Sequence, residues 1–414
     1  MAGTWQNALS EEITFPTNVV RFSRALSPHA IVDVKNDKGE IIGQEEVEQI
    51  VYYQPGVGTG AGDTWRGGIY GLGVSANIRA AYGFLAHNYD PGDKIFFFGF
   101  SRGAYTARSI AGLVNKLGLL TKQGMDYFPE VYAEFYNHPV LFPDFEFSDK
   151  LKKKLEGKFH EGAEDAVKII GVWDTVGFHA EGRAGERIEF HSTMLSPKVE
   201  YAYHALALDE RRLAFKPTLW QWPKDHVVDS RGRDLKDMRQ VWFSGKHSDI
   251  GGGLYDSRLS DITLAWMIAQ CSRDGKLAFN EDYLLDKTKN RNPDSWATGQ
   301  GKTIEEPSAS LLDISRSALA DLFWQIKAED RQPLETTNTY ERIHRSIQER
   351  NLGEWPCGPL LDETPPQKKK EWPLKVRGKA LEVTQEDDIE GTYCGRITPA
   401  PSQKRYSLVA GSSK

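Results

Sequence analysis

A chain of 414 residues with a formal net charge of −6 has room for one large domain with insertions or for two, and lacks the basic excess of a general nucleic-acid binder. Its three cysteines, Cys271, Cys357 and Cys394, are odd in number and far apart, which argues against a disulfide framework or a metal site and fits a reducing compartment. No apolar run approaches the ~20 residues of a membrane span, and the opening Met1-Ala-Gly-Thr-Trp-Gln6 shows no basic-then-apolar leader, so the expected location is the cytoplasm.

Along the chain, residues 17–26 read as a short amphipathic helix with Thr17 or Asn18 at its N-cap. Asn36-Asp37-Lys38-Gly39 reads as a turn between two short strands. Residues 49–54 are rich in β-branched and aromatic side chains and read as a strand running into Pro55-Gly56-Val57-Gly58-Thr59-Gly60. That glycine-rich loop lacks the Lys-Ser/Thr ending of a phosphate-binding P-loop, so it is taken as a tight turn beside the pocket, with Gly56, Val57 and Gly58 as candidate substrate contacts. Ile78, Ala81, Tyr82, Leu85 and Ala86 recur at helical spacing and predict a helix over 74–89, which Pro91-Gly92-Asp93 ends.

The most informative stretch follows. Ile95-Phe96-Phe97-Phe98 is an apolar run, Gly99-Phe100-Ser101-Arg102-Gly103 a tight passage, and residues 104–113 are small and helix-tolerant. A strand, a Gly-x-Ser-x-Gly turn and a helix form the nucleophile elbow of an α/β-hydrolase. Glycines on either side let neighbouring backbone approach, and the helix N-terminus behind the serine favours negative charge. The alternation strand, helix, strand, helix predicts a mostly parallel sheet flanked by helices.

Residues 121–165 are aromatic and charged and interrupt that alternation, as a lid over the site or as peripheral packing helices. Lys150 to Lys158 reads as a solvated basic helical face. Residues 167–173 form a second buried strand that delivers Asp174 to its C-terminal end, the side of an open α/β sheet where ligands bind. Residues 199–212 read as a helix, in which His204 is a packed core residue rather than a catalyst. Residues 240–245 form a third strand, followed at once by Lys246-His247-Ser248-Asp249-Ile250-Gly251-Gly252-Gly253. Residues 259–271 form a helix. From about Asn280 the pattern weakens: 310–326 and 341–351 read as helices, 365–372 as an exposed loop, and 405–409 as a short strand. The expected organisation is a catalytic domain over 1–275 and a helical, loop-rich extension over 276–414 that serves as a cap.

The chemistry follows from residue types and order. A serine hydroxyl needs a base, and the base needs a carboxylate to fix its tautomer. Ser101, Asp174 and His247 stand in the Ser–Asp–His order of α/β-hydrolases. They are assigned as nucleophile, orienter and general base, with Asp249 as the rival orienter or as the acceptor that fixes the glycine loop. The Arg102 backbone N–H supplies one oxyanion donor. A second comes from Gly3-Thr4 or from Gly56-Val57-Gly58. The Arg102 side chain meets either a substrate anion or a structural partner. No metal or cofactor enters this scheme.

These motifs resemble the catalytic domain of the type VI secretion phospholipase effectors, a family also widespread in fungi. The matching pieces are Gly3-Thr4-Trp5, Thr17-Asn18-Val19, Tyr53-Gln54-Pro55-Gly56-Val57-Gly58-Thr59, Gly99 through Arg108, Val172 through Gly177, His204-Ala205-Leu206-Ala207-Leu208-Asp209-Glu210 and Trp242 through Gly253, which span about residues 3 to 270. The resemblance implies a Ser–Asp–His esterase, of the phospholipase A type in the bacterial effectors and with no definite substrate in the fungal branch; a lipid or other acyl ester is the expected substrate here, with peripheral membrane contact as one setting. Members carry an apolar strand ending in Asp-Gly-Thr-Trp where this sequence has Met1-Ala2, so the expectation includes a missing first strand. The rival readings are a non-catalytic binding or scaffold protein on the same fold, and a thioesterase on the same triad. Oligomeric state is not legible.

Overall fold

The computed structural model describes residues 15–36, 38–55, 69–137, 145–177, 195–212, 215–221, 236–273, 276–284, 331, 333, 339–349, 375–376, 379–380 and 382–384. The fold is α/β-hydrolase-like. Its framework, among the described residues, is a parallel sheet of six strands, in chain order β3 (Ile95–Phe100), β4 (Val167–Trp173), β5 (Tyr201–Ala207), β6 (Asp237–Phe243), β7 (Glu341–His344) and β10 (Glu382–Thr384). Across the sheet they lie in the order β10-β7-β6-β5-β4-β3, every neighbouring pair parallel. Strands of such a sheet are covered on both faces, so they read as continuous apolar runs.

Helices α2 (Ile69–Asn88) and α3 (Arg102–Leu117) cover one face. There Ile78, Tyr82, Ala107, Ile110 and Val114 pack with Ile170, Val172 and Ala202 of the sheet. The other face carries α1 (Asn18–Ala25) and α7 (Arg258–Ser272), where Val19, Phe22, Trp266 and Met267 meet Ile169, Trp173, Tyr203 and Val241. Side chains alternate between the two cores along β4: Ile169 and Trp173 face one, Ile170 and Val172 the other. A short helix, α6 (His247–Gly251), leads from β6 towards α7.

The stretch 121–165 folds as α4 (Phe128–Asn137), α5 (Asp149–Lys154) and two 3-10 turns, Gly124–Tyr127 and Ala163–Asp165. Phe128, Val131, Phe135 and Leu151 pack into the α2–α3 core, so the described part of this insertion is peripheral packing. The lysines of α5 lie on a solvated face, where Lys152 pairs with Glu146 and Lys154 with Glu130. The turn at 36–39 joins β1 (His29–Lys35) to β2 (Ile41–Glu48) in an antiparallel hairpin. A second small antiparallel pair joins β8 (Lys375–Val376) and β9 (Lys379–Ala380). Residues 346–349 form α8.

Three expectations are corrected. Residues 201–207 are strand β5 rather than helix. The run Tyr-Ala-Tyr-His-Ala-Leu-Ala is buried on both sides, so neither period is enforced and the apolar spacing is ambiguous. Residues 341–344 are strand β7, and helix begins only at Ser346. Glu341 and His344 are polar yet buried, because Glu341 accepts from the Trp242 indole (2.7 Å) and His344 pairs with Ser346 (2.8 Å). Residues 49–54 form no described strand: Gln49 bonds through its backbone N–H to Pro28 and through its side chain to Ser27 and Ala278, while Ile50, Val51 and Tyr52 are exposed. The sheet takes β7 and β10 from beyond residue 276, so that region contributes strands to the framework. The expected helix over 310–326, the loop over 365–372 and the strand over 405–409 lie outside the described residues.

Gly99 shows why the elbow needs a glycine. A Cβ built there would lie 2.5 Å from the Gly103 carbonyl oxygen and 2.6 Å from Ala104 Cα. Both belong to the backbone of the first turn of α3 and cannot swing aside. Gly99→Ala should therefore destabilise the chain by about 2 kcal/mol through overpacking, read as a lower urea midpoint at unchanged m-value. An unaltered midpoint would show that the strand–helix approach is looser than described.

Candidate active site

The sheet brings the candidate site residues to the C-terminal ends of β3, β4 and β6. Ser101 follows β3 directly, with φ 58° and ψ −129°. Asp174 follows β4 with φ 40°. These are left-handed conformations that a side chain adopts only when its surroundings enforce them. For Ser101 the enforcement is hydrogen bonding on both sides: its N–H donates to the Trp173 carbonyl (3.0 Å), and its own carbonyl accepts from Ala104 N–H (3.0 Å). Asp174 N–H donates to the Ala205 carbonyl of the next strand (2.8 Å). His247 opens α6, and its backbone N–H lies 3.3 Å from Glu210 Oε2.

The three side chains meet. His247 Nε2 lies 2.8 Å from Ser101 Oγ, and His247 Nδ1 lies 2.6 Å from Asp174 Oδ2. All three residues are buried. With Asp174 ionised, Nδ1–H donates to the carboxylate and Nε2 is left to accept the serine proton. The imidazole is flanked by the Phe100 and Phe215 rings, at centroid distances of 4.6 and 4.7 Å, which fix its plane.

Asp174 has two further sets of donors. The Ala207 N–H reaches Oδ1 (3.0 Å), and Arg331 reaches both oxygens (2.6 and 3.0 Å). Burial pushes the Asp174 carboxyl up, but the Arg331 guanidinium and the hydrogen bond from His247 outweigh it and hold the group well below the usual carboxylate range.

Asp249, the rival orienter, is engaged at the start of α6: its Oδ2 accepts the Lys246 N–H (2.9 Å) and caps that helix, while the carboxylate bonded to His247 Nδ1 is that of Asp174. Asp209 does similar work one strand away, accepting the Gly245 N–H (2.6 Å) where Gly245 takes φ 120°. Glu210 is paired with Arg212 (2.8 Å), whose guanidinium lies 3.9 Å over the Phe215 ring. His204 is a core residue. Its Nε2 accepts the Thr175 N–H (3.1 Å) and its Nδ1 faces Gln240 Oε1 (3.2 Å), while burial and nearby Arg108 push its pKa down to about 3.

Arg102 opens α3, so its backbone N–H belongs to the first turn, the end of a helix that favours anions. The proposed second oxyanion positions, Gly3 and Thr4, and the proposed substrate contacts Gly56, Val57 and Gly58 lie outside the described residues. Among the described residues no cluster of His, Cys, Asp and Glu is suited to a metal ion, and Cys271 is free and buried. No helix among them is long and apolar enough to cross a membrane.

Residues 1–270 match the family model of the type VI secretion phospholipase effector Tle1-like catalytic domain. The chain belongs to this family. A relative in Saccharomyces cerevisiae, the uncharacterised protein YEL023C, is 30% identical over 187 residues, 41% of this chain and 27% of its own length. Two solved structures are similar in part. One is the Tle1 effector bound to the VgrG spike of the type VI secretion system (21% identity, TM-score 0.31, 60% of this chain and 42% of that one). The other is an uncharacterised protein from Pseudomonas aeruginosa (17% identity, TM-score 0.26, 52% and 28%). The chain thus spans less than half the length of each of these relatives.

The position of Asp174 has a consequence for acid stability. Its folded pKa lies below the unfolded value of ~3.9, so its pairing contributes stability that is full above that value and is lost as pH falls towards the folded one. Asp174→Asn should flatten the fall of unfolding free energy between about pH 5 and pH 3, measured by urea titration, although Glu200 and Glu210, also depressed, keep part of the slope. Equal slopes in the two proteins would contradict the assignment.

Proposed function

We propose that this chain is a serine ester hydrolase of the phospholipase or carboxylesterase type, acting through an acyl-enzyme on Ser101. The observation that carries the reading is the unbroken hydrogen-bonded line from Ser101 Oγ through His247 to Asp174, at 2.8 and 2.6 Å. The family, named for phospholipase effectors, supports a lipid or other acyl ester as substrate.

In this reading His247 Nε2 takes the Ser101 proton as Oγ attacks the ester carbonyl. Asp174 stabilises the imidazolium without accepting its proton. The oxyanion develops beside the first turn of α3, where the Arg102 N–H is a donor. His247 then protonates the leaving alkoxide. Water, activated by the same imidazole, cleaves the acyl-Ser101 ester and restores the serine.

Two measurements test it. A fluorophosphonate should label the 414-residue chain at Ser101 alone, located by mass spectrometry of the digested adduct. Ser101→Ala should abolish labelling and lower kcat/KM on a soluble p-nitrophenyl ester by on the order of 10⁴-fold or more. Turnover by the mutant at the wild-type rate would overturn the proposal.

A further inference from the structure

The Asp174 carboxylate is gripped from outside the region that defines the family. Arg331 lies beyond residue 270, where the family match ends. Its Nη1 donates to Asp174 Oδ1 (2.6 Å) and to the Ala207 carbonyl (2.7 Å). Its Nη2 donates to Asp174 Oδ2 (3.0 Å) and to the Phe215 carbonyl. The Arg331 side chain is 4% exposed and that of Asp174 not at all. The contact is therefore a two-pronged guanidinium–carboxylate pair, the geometry with the strongest directional preference. The two carbonyls locate the guanidinium. One ends β5, and the other belongs to Phe215, whose ring lies against His247. A single side chain thus ties the carboxylate to the wall that orients the imidazole.

The charge balance points the same way. A buried carboxylate beside a neutral imidazole is a lone negative charge, and such a pair draws a proton. With Arg331 present the buried charges cancel and the imidazole stays available as a base. Among the described residues, the other charged groups near the triad are engaged elsewhere. Glu210 is paired with Arg212. Asp209 and Asp249 accept backbone N–H groups of Gly245 and Lys246. Arg108 donates to the Thr218 carbonyl and lies over the Trp220 ring, and His204 is engaged with Thr175 and Gln240.

We propose that Arg331 is a positioning residue of the triad: it holds Asp174 as an oriented, charge-compensated carboxylate, so that a competent Ser101 site requires the part of the chain that carries Arg331. The proposal rests on the serine-hydrolase reading given above.

The test compares the 414-residue wild type, Arg331→Met and Arg331→Lys by fluorophosphonate labelling and by the pH profile of kcat/KM on p-nitrophenyl butyrate. Arg331→Met should lower kcat by roughly ten- to a hundredfold with little change in KM, because orientation is lost and not binding. Its acid limb should move to higher pH by about one unit or more, since the compensating charge is gone. Arg331→Lys should keep the limb near its wild-type position while kcat stays reduced, because the charge remains and the fork does not. A merely structural role would reduce the active fraction and leave the profile in place. If Arg331→Met does not fold, Arg331→Met/Asp174→Asn, which removes both buried charges, should recover folding without activity. Failure of that double variant to fold, with Arg331→Lys indistinguishable from wild type in kcat, would overturn the proposal. A labelled wild type with a Met variant of unchanged kcat and acid limb would overturn this proposal alone. A folded wild type that takes no label would overturn the triad reading and this proposal with it.

Discussion

The structure depends on one buried negative charge. Asp174 has no exposure to solvent, and a carboxylate so placed persists only if its oxygens are saturated by donors. Three partners do this: the His247 imidazole, the Ala207 N–H and the Arg331 guanidinium. They come from β5, the start of α6 and a point far along the chain, so the carboxylate ties together parts that are distant in sequence. Loss of any partner leaves part of a charge unpaired in a medium that solvates it poorly.

The parallel sheet makes that arrangement accessible. Its strands deliver their ends to one edge, and the chain leaves β3 and β4 through residues with positive φ, Ser101 and Asp174. Strain at those two positions is held by the sheet itself: Ser101 N–H bonds to the carbonyl of Trp173, and Asp174 N–H to that of Ala205. The elbow and the carboxylate turn are thus mutually registered through neighbouring strands. Asn18 performs a matching service on the opposite face, where its side-chain amide reaches the Ile250 and Ser260 carbonyls and fixes α1 against α6 and α7. Thr17, at the N-cap position of α1, makes no side-chain cap bond.

Much of this was legible because it is local. The apolar run before Ser101, the glycine at 99 and the small residues after it specify strand, turn and helix within a single stretch. Asp174 and His247 announce themselves by following strand-like runs in the right order. The hairpin at 36–39 and the helix through Trp266 were equally readable from turn residues and period. What escaped was non-local. β5 is buried on both faces, so its spacing gave no period to distinguish strand from helix. β7 carries buried Glu341 and His344, whose partners Trp242 and Ser346 make strand burial tolerable but leave a polar, helix-like pattern. The segment 49–54 has strand composition yet lies outside every described strand, held by backbone and side-chain bonds of Gln49, by the Gln54–Asn77 bond and by stacking of Tyr52 on Phe84. Arg331 was invisible because nothing around it in sequence marks an arginine as the partner of a carboxylate so far upstream.

A crystal structure of the chain after reaction with a phosphonate ester tests the grouping of Ser101, His247, Asp174 and Arg331. Phosphorus should be bonded to Ser101 Oγ, with the phosphoryl oxygen beside the Arg102 N–H and Asp174 held between the His247 imidazole and the Arg331 guanidinium. Phosphorus on another residue, or Asp174 turned away from His247 with Arg331 elsewhere, would contradict it.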